Sequence, residues 1–70
     1  MKQTTLKEIK KGEFFTLKRP TDENDVPENI VWIKDSYDRS SKTYDCYKFM
    51  DINHFSSMKS SRKVWTDFTF

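Results

Sequence analysis

The sequence has 70 residues and contains one cysteine, one histidine, one glycine and no alanine. One cysteine cannot form a disulfide within the chain, and one cysteine with one histidine cannot supply the four ligands of a structural zinc site. No run of 18 apolar residues occurs, and no signal peptide with an apolar segment is present. We therefore expect a cytoplasmic protein that has no cofactor and does not enter the membrane.

Motifs of common enzyme active sites are also missing. No Gly-x-Ser-x-Gly motif surrounds any of the seven serines, and nothing near His54 indicates a catalytic triad. The acidic stretch 22–25 lacks the glycine and the distal glutamate of a calcium loop. Cys46 lies in an alternating segment with no neighbouring basic motif, which predicts an inert buried thiol. Because the chain is also too small to enclose a substrate, we expect no enzymatic activity.

The sequence is rich in aromatic and charged residues. Six Phe, three Tyr and two Trp accompany 13 basic and 11 acidic residues, with a net charge of +2. Aromatic side chains bury a large area each, so they must supply most of the core of one small domain spanning residues 1–70. Residues 1–19 carry a charge of +4, residues 20–29 carry −4 and residues 59–70 carry +2. The overall balance is too small to indicate nucleic-acid binding by itself.

The residue pattern predicts one short N-terminal helical turn followed by five β-strands. Thr5 and Glu8 have the spacing of a capping box, and Gly12 can end the turn with a positive φ. The segment 19–29 combines two prolines with four acidic residues and no periodicity, which predicts an irregular, mobile loop. Aromatic and β-branched segments separated by turn formers predict the strands, at residues 13–18, 30–34, 43–49, 55–58 and 63–70.

Five short strands favour an all-β fold in which an antiparallel sheet curls into a small five-stranded barrel of SH3-like or OB-like type. Closure of the barrel would protect the strand edges. The segment 43–49 leaves two alternatives open, because either Tyr44 and Cys46 or Tyr47 and Phe49 point inward. The expected core contains Phe15, Leu17, Val31, Ile33 and Phe68, with Leu6 and Ile9 at one end.

The candidate binding site consists of two tryptophans and several basic residues in or beside turns. Trp32 and Trp65 alternate with neighbouring aliphatic residues along their strands, so they point to the opposite face. If the aliphatic residues form the core, at least one tryptophan should be partly exposed. An exposed indole can stack on a nucleobase while basic side chains meet the phosphates. The basic candidates are Arg39, Lys42, Lys48, Lys59, Arg62 and Lys63. Alternatively, the tryptophans form a second small core under the acidic loop, and the charges only keep the protein soluble.

These features favour a non-catalytic binding module with nucleic acid as the preferred partner. The alternative is a protein-interaction module in which exposed aromatic residues anchor a partner and the acidic loop steers it. Salt dependence would separate the two, because phosphate binding weakens steeply with salt whereas apolar anchors tolerate it. We expect a monomer, or a homodimer formed through an edge strand.

Three segments resemble short uncharacterised proteins of bacteria and their mobile elements. They are 6–15, then Trp32-Ile33 with the pattern Tyr-Asp-Arg-Ser-Ser-Lys-x-Tyr-x-Cys at 37–46, and finally Lys63-Val64 with 68–70. The resemblance implies a small stand-alone β domain of bacterial or phage origin and no particular activity. Small phage proteins often bind a host protein or a nucleic acid, so the analogy also favours a binding module.

Overall fold

The computed structural model describes residues 1–70 as an all-β fold with two antiparallel sheets and no α-helix. β1 (Lys2–Thr5) pairs with β6 (Lys63–Thr66), while β2 (Phe14–Phe15), β3 (Trp32–Asp38), β4 (Thr43–Lys48) and β5 (Phe55–Lys59) form a four-stranded sheet in that order. Single turns of 3-10 helix occupy Leu6–Glu8 and Glu28–Ile30, and no helix could span a membrane. The all-β prediction is confirmed, whereas the closed five-stranded barrel is not found.

The two sheets are joined at Thr16, the residue after β2, which lies beside Trp65 of β6. Thr16 and Trp65 exchange both backbone hydrogen bonds there, each at 3.0 Å. A second connection is made by the Leu6 N–H, which donates to the Arg62 carbonyl in the turn after β5. The second edges of β1 and β5 remain unpaired. The structure is therefore open between these two strands.

The core is formed by the sheet faces that point toward each other. Its buried cluster consists of Leu6, Ile9, Phe15, Trp32, Cys46, Met58 and Val64, with Leu17 and Tyr44 packed against it. Phe15 and Val31 are fully buried, as predicted. Ile33 is only half-buried, because β3 directs Trp32 and Lys34 inward and successive strand residues point to opposite faces. The prediction that Ile33 belongs to the core is therefore wrong.

The structure decides which face of β4 points inward. Cys46 is fully buried and Tyr44 packs against the core, so the first of the two alternatives is correct. Tyr47 is opposite Ile33 and lies on the outward face of the sheet. The register between β3 and β4 shifts after Lys34, at a β-bulge.

The last strand ends four residues earlier than predicted. Asp67 has a φ of 58°, a left-handed conformation that aspartate tolerates and that interrupts a strand. The chain then turns toward the acidic segment 19–29, where the Thr69 N–H donates to the Glu23 carbonyl at 2.7 Å and the Thr69 carbonyl accepts from Val26 at 3.0 Å. The segment is irregular as predicted, apart from its one 3-10 turn. Because Val26 is also buried, the segment is attached to the fold and is not a free loop.

The N-terminal residues form a strand that the sequence pattern did not predict. β1 pairs along its whole length with β6, and the predicted helical turn follows it as one turn of 3-10 helix. Thr5 makes no capping hydrogen bond to this turn, so the capping box is not formed. Instead, the Thr5 and Thr4 hydroxyls donate to the two carboxylate oxygens of Glu8, at 2.9 and 3.1 Å. These bonds, with that of Thr5 the stronger cause, lower the pKa of Glu8.

β5 directs Met58 into the core and Phe55 outward, which predicts different costs for truncating the two side chains. Met58→Ala should lower the free energy of unfolding by about 2–5 kcal/mol, because it leaves a cavity among buried side chains. Phe55→Ala should change it by less than about 0.5 kcal/mol, because 61% of Phe55 is exposed. Urea denaturation measures both values. Similar losses for the two variants would contradict this assignment of the faces.

Candidate functional site

A row of large apolar side chains crosses the outward face of the four-stranded sheet. Phe14 of β2 is opposite Ile33 of β3, Ile33 is opposite Tyr47 of β4, and Tyr47 is opposite Phe55 of β5. Directly opposite residues have Cβ atoms about 4.5–5.5 Å apart, so these four side chains are successive neighbours. The centroids of the Tyr47 and Phe55 rings are 5.8 Å apart. The strand register thus assembles an apolar stripe on the side away from the core.

Two more phenylalanine rings widen the stripe at its β2 end. Phe49 and Phe70 pack edge-to-face on Phe14, with centroid distances of 5.6 and 5.1 Å, and their own centroids are 5.0 Å apart. Phe68, which the sequence predicts in the core, is half-buried with its ring centroid 5.9 Å from that of Phe70. The turn at Asp67 therefore brings the C-terminal aromatic residues to the outside of the sheet.

An exposed isoleucine extends the stripe at its β5 end. Ile52, from the loop between β4 and β5, lines a cavity with Tyr47 and Phe55, and 64% of its surface is exposed. We call the whole surface the outer aromatic face; it consists of Phe14, Ile33, Tyr47, Phe49, Ile52, Phe55 and Phe70.

The charged residues that line the cavities of the outer aromatic face are acidic. Asp35 lines the cavity at the β5 end, and Glu13 and Asp67 line the cavity at the β2 end. No lysine or arginine lines either cavity. The nearest ion pair is a weak one, with the exposed Lys11 ammonium 4.0 Å from Asp35. This face therefore favours a ligand that carries positive charge around an apolar centre.

A second surface, on the other side of the four-stranded sheet, has the opposite charge. Two neighbouring cavities share Leu17 and Trp32 in their linings, and no acidic residue lines either one. We call this surface the cationic groove; its charged residues are Lys18, Lys48, Lys59 and Arg62. The molecule thus separates an acidic, aromatic face from a basic groove.

The two predicted tryptophans occupy different environments. Trp32 is only 8% exposed, because it belongs to the core cluster and its ring packs edge-to-face with the His54 ring at a centroid distance of 5.6 Å. The Lys48 ammonium lies 5.5 Å from the Trp32 centroid. Trp65 is half-buried, with the Arg19 guanidinium 5.6 Å from its centroid, and it lines none of the cavities. Trp32 therefore lines the groove with only a small exposed area and offers no free stacking surface.

The structure brings together three of the six predicted basic residues. Lys48, Lys59 and Arg62 line the cationic groove. The other three line neither of its cavities: Arg39 and Lys42 lie in the exposed turn between β3 and β4, and Lys63 begins β6. Lys18, a fourth groove residue, was not predicted, and nothing in its local sequence distinguishes it from the other lysines near the N-terminus.

Two ionisable side chains are buried next to each other on the inner face. Lys34 is 5% exposed, and its ammonium donates to the Ile9 carbonyl and lies 4.0 Å from the centroid of the Tyr44 ring. Desolvation lowers the pKa of Lys34. Its cross-strand partner Cys46 is fully buried, and desolvation raises the pKa of that thiol to about 11. Neither side chain lines a cavity, so neither is positioned to meet a ligand.

Comparison of the chain with protein-family models, curated proteins and solved structures gives no match. No group of three or more His, Cys, Asp or Glu side chains is arranged to hold a metal ion.

The raised pKa of Cys46 predicts an unreactive thiol. Because the thiolate is the nucleophile, iodoacetamide at neutral pH should modify the native protein far more slowly than the urea-unfolded protein. The folded state favours the protonated thiol, so this contribution to stability is complete below pH 9.0 and is lost as the pH rises through about 11. Mass spectrometry measures the alkylation. Equal rates in the native and unfolded states would contradict the burial of Cys46.

Proposed function

We propose that the chain is a non-catalytic protein-binding module whose partner occupies the outer aromatic face. The observation that carries this proposal is the set of seven neighbouring apolar side chains on the outward side of the sheet, with Phe55 and Ile52 more than half exposed. Single exposed apolar residues are normal, but a contiguous group with a charged rim is typical of an interaction surface. Aromatic residues are also enriched at the centres of protein interfaces.

The charges around the outer aromatic face indicate the chemistry of the partner. Asp35, Glu13 and Asp67 line its cavities, so lysine or arginine side chains around an apolar centre would be complementary to it. The phosphates of a nucleic acid would meet the same carboxylates and be repelled. The aromatic rings on this face therefore support protein binding and not base stacking.

Ile52 and Ile30 offer a matched pair of variants that tests the proposal. Ile52 is on the outer aromatic face, whereas Ile30 is an exposed isoleucine that lines the cationic groove. For a partner captured from a bacterial lysate and then purified, Ile52→Ser should weaken binding at least about tenfold, because it removes apolar area from the interface. Ile30→Ser should change the Kd less than about twofold. Isothermal titration calorimetry with the two purified proteins measures both.

Nuclease treatment of the lysate is the control for capture of the partner through a nucleic acid that bridges the two proteins. Capture that survives the nuclease and is weakened only by Ile52→Ser supports the proposed function. If both isoleucine variants bind as the original protein does, or if nuclease abolishes the capture, the partner does not occupy the outer aromatic face.

A second candidate function, binding of single-stranded nucleic acid, is favoured by the cationic groove. Four basic side chains line it without an acidic neighbour, and contacts between such side chains and phosphates dominate the affinity of nucleic-acid complexes. Because Trp32 is buried, it offers little area for base stacking. The groove therefore supports this function less strongly than the outer aromatic face supports protein binding.

Fluorescent single-stranded DNA tests the second candidate directly. With about four phosphate contacts, the affinity should fall roughly 50-fold when the salt concentration rises from 50 to 200 mM. Arg62→Ala should make this salt dependence shallower, whereas Arg39→Ala, which removes the same charge outside the groove, should not. Fluorescence anisotropy measures the affinities, and the absence of binding at low salt would exclude the groove as a nucleic-acid site.

A further inference from the structure

β5 is an edge strand whose second side is unpaired. Residues 55–58 make no backbone hydrogen bond outside the ladder with β4. Just beyond that ladder, the Lys48 N–H donates to the His54 carbonyl at 3.2 Å, which fixes the alternation of hydrogen-bonded pairs between the two strands. Phe55, Ser57 and Lys59 belong to the pairs without mutual hydrogen bonds. Their N–H groups therefore point away from β4, toward the open edge.

This edge lacks the features that usually prevent pairing with another chain. Natural edge strands are commonly interrupted by proline or a bulge or carry charged residues along their length. β5 contains no proline, its register with β4 has no bulge, and its one charged residue is Lys59, at the end of the strand. The edge is therefore free to accept a further strand.

The outer aromatic face and the cationic groove meet at the open edge of β5. Phe55 points to the outer aromatic face, and Ile52 lies beside it. On the other side of the strand, Met58 lines the cationic groove together with Arg62 of the turn that follows β5. Successive side chains of a strand point to opposite faces of the sheet. A strand added beside β5 would therefore direct alternate side chains to the two surfaces.

We propose that the partner binds by adding a β-strand to the open edge of β5, and that this strand alternates apolar with acidic residues. The apolar side chains would contact Phe55 and Ile52 on the outer aromatic face, while the acidic ones would meet Arg62 in the cationic groove, which no carboxylate lines. This inference rests on the proposed function, because it describes how the partner occupies that face. A second copy of the chain fits less well, since its β5 contains no acidic residue.

Ser57 provides the variant and the control that test strand addition. Its N–H points away from β4, so Ser57→Pro removes a donor from the open edge and leaves the hydrogen bonds to β4 in place. The Ser57 hydroxyl also donates to the Asp45 carboxylate at 3.0 Å. Ser57→Ala loses only that side-chain bond and keeps the N–H, so it is the matched control.

The probe is a capped seven-residue peptide that alternates valine and glutamate. Its binding is measured from the amide chemical shifts in NMR spectra of the isotope-labelled protein. The peptide should shift the amides of Phe55, Ser57 and Lys59 in the original protein. The Kd of Ser57→Ala for the peptide should lie within twofold of the Kd of the original protein, whereas Ser57→Pro should weaken binding at least tenfold. A peptide that alternates valine and lysine should also bind at least tenfold more weakly, because its ammonium groups would enter the cationic groove.

A second probe covers the case in which Ser57→Pro does not fold. The valine–glutamate peptide with alternate backbone nitrogens methylated cannot complete the hydrogen bonds, so it should not bind the original protein. Undiminished binding to Ser57→Pro, binding of the methylated peptide, or no binding of the first peptide would overturn strand addition. Concentration-dependent shifts of the β5 amides without any peptide would also overturn it in favour of a second copy. A captured partner that is lost with Ile52→Ser but retained with Ser57→Pro would refute the added strand and leave the proposed function standing.

Discussion

The inward face of β3 determines how the rest of the molecule is arranged. Trp32 and Lys34 point into the core, although Lys34 is charged and the intervening Ile33 is not. Burying an ammonium group is unfavourable unless it is hydrogen-bonded, and here the Ile9 carbonyl accepts from it while the Tyr44 ring faces it. The aliphatic stem of Lys34 adds to the apolar packing. The same arrangement directs Ile33 outward. Phe14 and Tyr47 are opposite Ile33 on the paired strands, so their side chains lie on the outer face as well.

Local sequence patterns were sufficient to predict an all-β chain, because strand-forming segments are separated by clear turn formers. The patterns gave wrong predictions where the same local sequence signal is compatible with two different structures. Thr5 and Glu8 have capping-box spacing, yet here the hydroxyl binds the carboxylate and the residues before it form a strand. The alternation of residues 63–70 continues past Asp67, but the left-handed conformation of that residue ends the strand. Hydrophobicity favours Ile33 over Lys34 in the core, whereas the structure buries the lysine head group against the Ile9 carbonyl and the Tyr44 ring.

The candidate site was harder to predict than the fold, because it depends on register between strands that are distant in the sequence. Phe14, Tyr47 and Phe55 become neighbours only through pairing with β3 and β4. The prediction that exposed aromatic residues form a binding surface therefore pointed to the tryptophans, one of which is in the core. Basic turn residues were predicted as a group, but the fold divides them among the cationic groove, the turn between β3 and β4, and the start of β6. Charge along the sequence did not show this separation.

Exposure of side chains to a soluble paramagnetic gadolinium chelate, measured by NMR, tests the two-faced sheet most directly. Such a probe broadens the signals of groups that solvent can reach. The structure predicts strong broadening of the Phe55 ring and the Ile52 methyl groups, and little broadening of the Trp32 indole and the Met58 methyl group. Protected Phe55 and Ile52 signals together with strongly broadened Trp32 and Met58 signals would mean that the faces are reversed, and the outer aromatic face would not exist.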